Sequence, residues 1–368
     1  EKAKILRNNI FGVDIDPQAV EITMMSLYLK ALEGERGLLP KKQHLLPPLT
    51  NNIKCGNSLI GYDIFEDSPL LRGVRGVFSP LTEGGEGEFS DETKSRINPF
   101  DWNSKTTGFG EIINPSQSPL DKGGSKGGFD CVIGNPPYLR VQGLQEYYGE
   151  QIDYFIKHYE SAVKRFDLYL LFIEKGFNLL KQKGLLSYIC PNKFVNSDFG
   201  SGLRKFLLSN KAMSSVISFG HNLIFKAASI YTGIILLSKD KNEKFGYHEF
   251  NELPEADVPK RLFSLNSHDF NFYKTASLTP SPWVLTHSSI ESLLKKIKQP
   301  LTLGDVFEEI LVGIQSGIDN IHVLKFIGKK SDSVFKFFSE RVGDEIEIEP
   351  QLVKPFLRGE DVHRYSYP

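Results

Sequence analysis

Apolar residues recur along the chain in short runs and helical stripes separated by turn residues. An apolar run at residues 9–14 predicts a strand that ends in an acidic residue. Asp16 and Pro17 then predict a helix start, because Asp caps a first turn and Pro suits the first helical position. The apolar face that follows extends to about residue 32, and residues 52–59 predict the next strand and its turn. This order is typical of α/β folds.

The same alternation returns after residue 128. Residues 131–133 form an unbroken apolar run that predicts a short buried strand. Residues 167–180 predict a strongly apolar helix, and residues 185–191 predict a strand. Two more strands are predicted at residues 214–219 and 230–238. Together these elements predict a parallel α/β sheet with right-handed crossovers.

Residues 66–128 interrupt this pattern. Variants of one Ser-Pro-Leu unit occur at residues 68–73, 79–85 and 118–124, with many Gly, Pro and charged residues around them. This composition predicts a largely flexible surface insertion. Phe100-Asp101-Trp102 lies between the repeats and belongs to none of them.

The chain has 368 residues and 40% hydrophobic residues, which suffices for two domains. Residues 1–250 are predicted to form the first domain, and four prolines mark residues 251–287 as a linker. Residues 288–368 would begin a second domain.

The composition and net charge of the chain limit where the protein is expected to be located and what it is expected to bind. No apolar run is long enough for a membrane span, and no signal peptide is visible, so we expect no membrane partner and a cytoplasmic location. Cys55, Cys131 and Cys190 lack metal-ligand spacing and predict buried free thiols. The net charge of −1 means that any DNA-binding surface must be local.

Candidate chemistry lies in Asn135-Pro136-Pro137-Tyr138, directly after the predicted strand. Two prolines cannot continue a strand, so the chain leaves the sheet in a stiff loop. The Asn135 amide and the Pro136 carbonyl offer acceptors, and Tyr138 offers a flat ring. This set suits a flat heterocycle with an exocyclic amino group, and the alternative is a turn that closes a strand.

This stretch resembles the signature of the amino-methylating DNA methyltransferases, above all the adenine-N6 enzymes of type II, IIG-like restriction–modification systems. The resemblance implies a class I, Rossmann-like α/β sheet that binds S-adenosylmethionine. Its catalytic residues would be Asn135, Pro136 and Tyr138, acting on double-stranded DNA without a metal. Phe225 would stack on the target base opposite Tyr138. Phe219 is the alternative, and either side chain could instead be an ordinary core residue.

Three residues are candidates for cofactor binding. Asp14 ends a predicted strand, where an acidic side chain can hold ribose hydroxyls, although it could also cap the helix. Residues 12–17 resemble the family's second cofactor motif, which implies ribose contact for Asp14 and adenine packing for Ile15. Asn57 stands where the family usually has Asp, and its amide oxygen can still accept from an amino group.

Two parts of the family pattern bear on whether the chain contains a whole cofactor site and a whole recognition domain. The glycine-rich methionine loop occurs nowhere in the chain, so this loop and the first strand are expected before Glu1, or the chain is inactive alone. Residues 303–317 and 356–365 resemble pieces of a target-recognition domain. Within the second piece, Arg358 and Arg364 are candidates for phosphate contact, as is His363.

Three hypotheses therefore stay open. The first is a site-specific adenine-N6 DNA methyltransferase of a restriction–modification system. The second is the same fold acting on a protein glutamine or an RNA base, since the loop motif serves those substrates too. The third is a DNA-binding remnant without activity, which measurement of cofactor binding would distinguish from an enzyme.

Overall fold

The computed structural model divides the chain into two compact units, residues 1–296 and 297–368. It describes residues 2–33, 48–67, 89–115, 127–140, 143, 149–225, 230–250, 257–286, 296, 305 and 323–354.

The helices of the first unit are α1 Lys2–Asn9, α2 Pro17–Leu32, α3 Ile64–Asp67, α4 Asp91–Ile97, α5 Gly110–Ile113, α6 Gly149–His158, α7 Leu168–Asn178, α8 Ser201–Ser209 and α9 Val258–Ser264. Its strands are β1 Gly12–Asp14, β2 Ile53–Cys55, β3 Phe129–Gly134, β4 Leu180–Pro191, β5 Met213–Ser218, β6 Thr232–Ser238, β7 Lys244–Glu249 and β8 Asn271–Lys274. The second unit contributes β9 Lys325–Ser331, β10 Val334–Ser339 and β11 Asp344–Ile348.

The main sheet has six strands in the order β3-β4-β6-β5-β7-β8. Strand β3 runs parallel to β4, and β5 runs parallel to β7, whereas β6 is antiparallel to both β4 and β5. The α/β class is confirmed, but the sheet is mixed rather than all parallel. The connection from β5 to β6 contains no helix in its described part, and a parallel crossover usually needs one. The carboxyl ends of β3, β4, β5 and β7 consequently share one edge.

Strands β1 and β2 form a separate parallel pair, with Gly12 opposite Ile53 and Asp14 opposite Cys55. Strand β1 is shorter than predicted because residues up to Asn9 belong to α1. The helix start is confirmed, since the Asp16 carboxylate accepts a hydrogen bond from the amide of residue 18.

The amino ends of β1 and β3 lie side by side. The ring of Phe11, just before β1, is 5.9 Å from the ring of Phe129, the first residue of β3. Both rings also contact Phe109, at 5.5 and 6.0 Å. This aromatic cluster joins the two-stranded sheet to the main sheet.

Helices α6, α7 and α8 cover one face of the main sheet and form the large core with it. A Cβ at Gly176 would lie 2.6 Å from the Tyr188 hydroxyl, so only glycine lets α7 approach β4 this closely. On the opposite face, Phe219 and Phe250 stack beneath α9. Full burial of each large apolar side chain contributes about 1.5–3 kcal/mol.

Strand β3 is formed as predicted, but the prediction that it is buried is wrong. Ile133 is 77% exposed and Cys131 is exposed as well. Cys131 and Ile133 share the face of β3 opposite to that of Val132, which packs against the large core, and in the described part of the chain β3 pairs only with β4. All three cysteines are free, yet Cys55 is also exposed, and only Cys190 is a buried thiol.

Strand β4 begins at Leu180, earlier than the predicted start at residue 185. Leu180 pairs with Phe129, and the ladder then shifts register before Cys131 meets Leu185. Lys183, inside this irregular stretch, has a φ of +63°. The hydrophobic pattern predicted that the helix continues to residue 180, because the distorted and polar first residues of β4 show no strand-like alternation.

Residues 257–286 differ from the linker expectation for residues 251–287. They contain α9 and β8, and Tyr273 of β8 pairs with Phe245 of β7. Trp283 is only 2% exposed and its ring lies 5.9 Å from that of Phe245. These aromatic contacts attach the segment to the sheet. The predicted domain boundaries at residues 250 and 287 stay predictions.

Part of the predicted insertion packs on the first unit. Phe100 and Phe109 are 5% and 4% exposed, and the Trp102 Nε1 donates to the carbonyl of Ser58 over 2.9 Å. Residues 68–88 and 116–126, which carry the repeats, lie outside the described residues.

The second unit contains a three-stranded antiparallel sheet in the order β11-β10-β9. Exposed Lys–Glu pairs join its strands, at Lys336–Glu345 and Lys330–Glu347. The two recognition-like pieces, with Arg358, His363 and Arg364, lie outside the described residues apart from Asp305. Among the helices that the structure describes, none combines the length and apolarity of a membrane span.

Arg204 on α8 ties two distant segments together. Its fully buried guanidinium donates to the carbonyls of Phe194, Ser197 (2.7 Å) and Pro280 (2.9 Å). It therefore fastens the segment after β4 to the segment after β8.

We expect Arg204→Met to lower the free energy of unfolding by about 3 kcal/mol, because buried carbonyl oxygens lose charged donors. Chemical denaturation followed by circular dichroism measures the change. Lys205→Met is the matched control, since Lys205 is exposed on the same helix. Equal stability of the two variants would contradict the assigned role.

Candidate functional site

The loop after β3 leaves the sheet as the two prolines require. Gly134 forms the last pair with β4, opposite Tyr188. A Cβ at Gly134 would lie 3.1 Å from the Tyr188 ring, so a larger residue would crowd this exit. Pro136 is buried, whereas Asn135 is exposed at the carboxyl edge of the sheet.

Tyr138 turns back toward Asn135. Its hydroxyl donates to the Asn135 Oδ1 over 2.6 Å and has a longer contact of 3.3 Å with the carbonyl of Ile189. Burial, with a smaller contribution from Cys190, raises the pKa of Tyr138 to about 12. The hydroxyl is therefore a proton donor throughout the neutral range, and it occupies one of the two acceptor sites of the oxygen that the sequence assigned to a substrate.

The far end of the loop is attached to the start of α7. The backbones of Arg140 and Asp167 form an isolated antiparallel β-bridge, and the backbone amide of Leu168 donates to the carbonyl of Leu139 over 2.8 Å. Burial raises the pKa of the Asp167 carboxyl, while the nearby charge of Arg140 opposes that rise. Sequence inspection missed this anchor, because Asp167 has the pattern of an ordinary helix start.

Asp14 and Ile15 lie at the carboxyl end of β1, as predicted. The Asp14 Oδ1 accepts from the amide of Asp16 over 2.9 Å, and its Oδ2 has no partner among the described residues. Ile15 is 49% exposed. This combination leaves one carboxylate oxygen and one apolar surface available to a ligand.

Asn57 follows β2 and is held by its own turn. The backbone amide of Asn57 donates to the carbonyl of Asn98 over 2.6 Å, and its side-chain Oδ1 accepts from the backbone amide of Leu59 over 3.1 Å. A carbonyl oxygen has two acceptor sites, so one stays available for a second donor.

The two candidate stacking residues differ in their surroundings. Phe219 is 1% exposed and stacks on Phe250 at 6.2 Å, which makes it a core residue. Phe225 is half-buried, and no ring contact joins it to Tyr138 in the described structure. Its place opposite the target base stays a prediction.

The site residues thus form two groups. Asn135 and Tyr138 are hydrogen-bonded after β3, while Asp14 and Asn57 follow the neighbouring paired strands β1 and β2. Among the described residues, no cluster of three His, Cys, Asp or Glu side chains could hold a metal ion.

Residues 8–225 match the family model described as Eco57I restriction-modification methylase. The chain is similar to the type II restriction enzyme and methyltransferase RM.Eco57I of Escherichia coli, with 32% identity across 100% of the chain and 32% of that protein. It is also similar to the type II methyltransferase M.BstVI of Geobacillus stearothermophilus, with 24% identity across 64% of the chain and 41% of that protein. The matched regions therefore cover less than half the length of either relative.

Solved structures resemble the chain more distantly. The DrdV–DNA complex aligns with 74% of this chain and 25% of its own, at 14% identity and a TM-score of 0.44. A type I restriction-modification methyltransferase subunit from Streptococcus thermophilus covers 74% of this chain and 52% of its own, at 17% identity and a TM-score of 0.34. Likenesses this low support no conclusion by themselves.

A difference titration checks the environment of Tyr138. The absorbance of ionised tyrosine is measured in the wild type and in Tyr138→Phe, and the difference between the two reports on Tyr138 alone. This difference should show no ionisation of Tyr138 at pH 10, where an ordinary tyrosine is half ionised. An acetylated tyrosine amide serves as the reference. A half-ionised difference signal at pH 10 would show that Tyr138 is open to water.

Proposed function

Because the chain belongs to the Eco57I restriction-modification methylase family, we propose that it is the catalytic part of a DNA methyltransferase using S-adenosylmethionine. The observation that carries the proposal is the exposed Asn135, held beside Tyr138 at the carboxyl edge of the sheet. Duplex DNA as the partner, adenine N6 as the target and the cytoplasm as the location belong to the same proposal.

An adenine inside a duplex cannot reach this loop, so the base must leave the stack. Its amino lone pair is delocalised into the ring and is a poor nucleophile. Acceptance of its two N–H groups by the Asn135 Oδ1 and the Pro136 carbonyl favours a tetrahedral nitrogen with an aimed lone pair. Positioning is then the main contribution to catalysis.

The residues near β1 and β2 fit the cofactor. The Asp14 Oδ2 suits ribose hydroxyls, the exposed Ile15 side chain suits an adenine face, and the Asn57 amide oxygen can accept from an adenine amino group. When bound, the cofactor supplies an electrophilic methyl group on a sulfonium. The role of this chain is to hold the donor beside Asn135.

The glycine-rich loop and first strand expected from the resemblance also belong to this proposal. In the described residues β1 pairs only with β2, β3 pairs only with β4, and the amino ends of β1 and β3 adjoin. A parallel strand between these two edges would pair with both of them and bring its following loop between Asp14 and Asn135.

We expect Asn135→Ala to abolish methyl transfer, because the main acceptor for the target amino group is lost. The test uses labelled S-adenosylmethionine and amplified genomic DNA, which carries no methyl groups, followed by nucleoside mass spectrometry. Wild-type protein should yield N6-methyl-2′-deoxyadenosine and not N4-methyl-2′-deoxycytidine. Undiminished methylation by the variant would refute the assignment.

Calorimetric titration with S-adenosylmethionine provides the control. The Asn135→Ala variant should bind the cofactor within about threefold of the wild type. No binding by either protein would favour the remnant hypothesis. Methyl label recovered in protein or RNA, and not in DNA, would favour the second hypothesis.

The ring and the hydroxyl of Tyr138 should have separable effects. We expect Tyr138→Ala to lower kcat/KM about 10- to 100-fold, since stacking on a base contributes about 1–3 kcal/mol. Tyr138→Phe keeps the ring and removes the donor to Asn135, so its kcat/KM should stay within about threefold. An equal loss in both variants would show that the hydroxyl, not the ring, is required.

A further inference from the structure

A cavity lies at the same edge of the main sheet as the proposed methylation loop, residues 135–138. Its volume is about 330 Å³, and it opens where β4, β5 and β7 end. Asn192 directly follows β4, and Glu249 is the last residue of β7. None of the residues proposed to act in methyl transfer lines this cavity.

Two aromatic side chains, both almost fully buried, line the cavity. Trp283 is held by hydrogen bonds from its amide to the Val195 carbonyl (2.8 Å) and from its Nε1 to the Thr279 carbonyl (2.7 Å). Tyr247 is 7% exposed and donates its hydroxyl to the Glu249 carboxylate. Both rings are thus fixed in place before any ligand binds.

The polar groups of the cavity are mostly acceptors. The Tyr247 bond uses the Glu249 Oε2, which leaves its Oε1 without a partner among the described residues. The Asn192 Nδ2 donates to the Ser218 hydroxyl over 3.0 Å, and the Asn192 Oδ1 has no partner among the described residues. The Thr286 Oγ1 is buried and has no hydrogen-bond partner among the described residues.

The charge of the cavity disfavours phosphate as its ligand. Among the described residues, its lining contains the Glu249 carboxylate and no Lys, Arg or His. An anion would be repelled here, whereas a neutral ring with several N–H groups would satisfy the free acceptors. Guanine offers adjacent ring and amino N–H groups, and thymine lacks an amino group.

We propose that this cavity binds an unpaired nucleobase with an exocyclic amino group, guanine above all, supplied by the DNA strand that crosses the sheet edge. This proposal rests on the proposed function, because the DNA bound for methylation is what would supply the base. Strands β3 and β7 are four spacings apart, or about 19 Å. At about 3.4 Å per nucleotide along a stacked strand, this separation corresponds to roughly five or six nucleotides.

Trp283 provides a direct reporter. The chain has only two tryptophans, so Trp102→Phe leaves Trp283 as the sole tryptophan, whose emission is excited selectively at wavelengths that tyrosine does not absorb. Guanosine should change its fluorescence saturably, and thymidine should bind at least about 10-fold more weakly. Glu249→Ala in the same background should weaken guanosine binding about 10-fold or more, since a hydrogen bond to a charged group is lost. Glu243→Ala, an exposed carboxylate just before β7, should leave binding unchanged.

Equilibrium dialysis with labelled guanosine on the chain with both tryptophans provides a second measurement, should Trp102→Phe not fold. No saturable guanosine binding, or equal affinity for thymidine, would overturn the proposal. Equal effects of Glu249→Ala and Glu243→Ala would overturn it too.

The source of the base is tested with single-stranded oligonucleotides. A thymine tract with one central guanine should bind at least as tightly as guanosine, and an all-thymine tract should not compete. Binding of guanosine without binding of the guanine-containing tract would overturn the DNA source. These assays involve no methyl transfer, so failure of the proposed function would appear only in the Asn135→Ala experiment and not here.

Discussion

The pairing of β3 with β4 is the constraint on which the candidate site depends. Its last pair, Gly134 with Tyr188, determines where the chain must leave the sheet, and the two prolines prevent any further ladder. The loop can therefore extend only beyond the edge where Asn135 is exposed. The same pairing brings the carbonyl of Ile189 within reach of Tyr138, so strand register and side-chain geometry are linked.

Local chemistry explains what could be predicted from sequence. The Asp16 cap depends on neighbouring residues alone, and the loop after β3 depends on two consecutive prolines. The alternation of strand and helix identified the α/β class for the same reason, since a period of two or of 3.6 is a local property. Asp14 was located because a strand followed by a capped helix leaves its last side chain at the sheet edge.

Long-range contacts explain what could not be predicted. Whether β3 is buried depends on what covers the face that carries Cys131 and Ile133, which no local pattern records. The attachment of β8 depends on Tyr273 and Trp283 meeting Phe245, far away in sequence. The bond between Tyr138 and Asn135 depends on a side-chain orientation that several loop conformations would allow.

That bond has a consequence for selectivity. The Asn135 oxygen has two acceptor sites, and the Tyr138 hydroxyl fills one of them, so the amide is oriented and one acceptor site stays available to an incoming N–H group. A base that places no N–H group at this point leaves the oxygen unmatched, at a cost of about 1–3 kcal/mol once water is excluded. The tyrosine would then contribute to selectivity by fixing the direction of the acceptor, with no group placed to repel other bases.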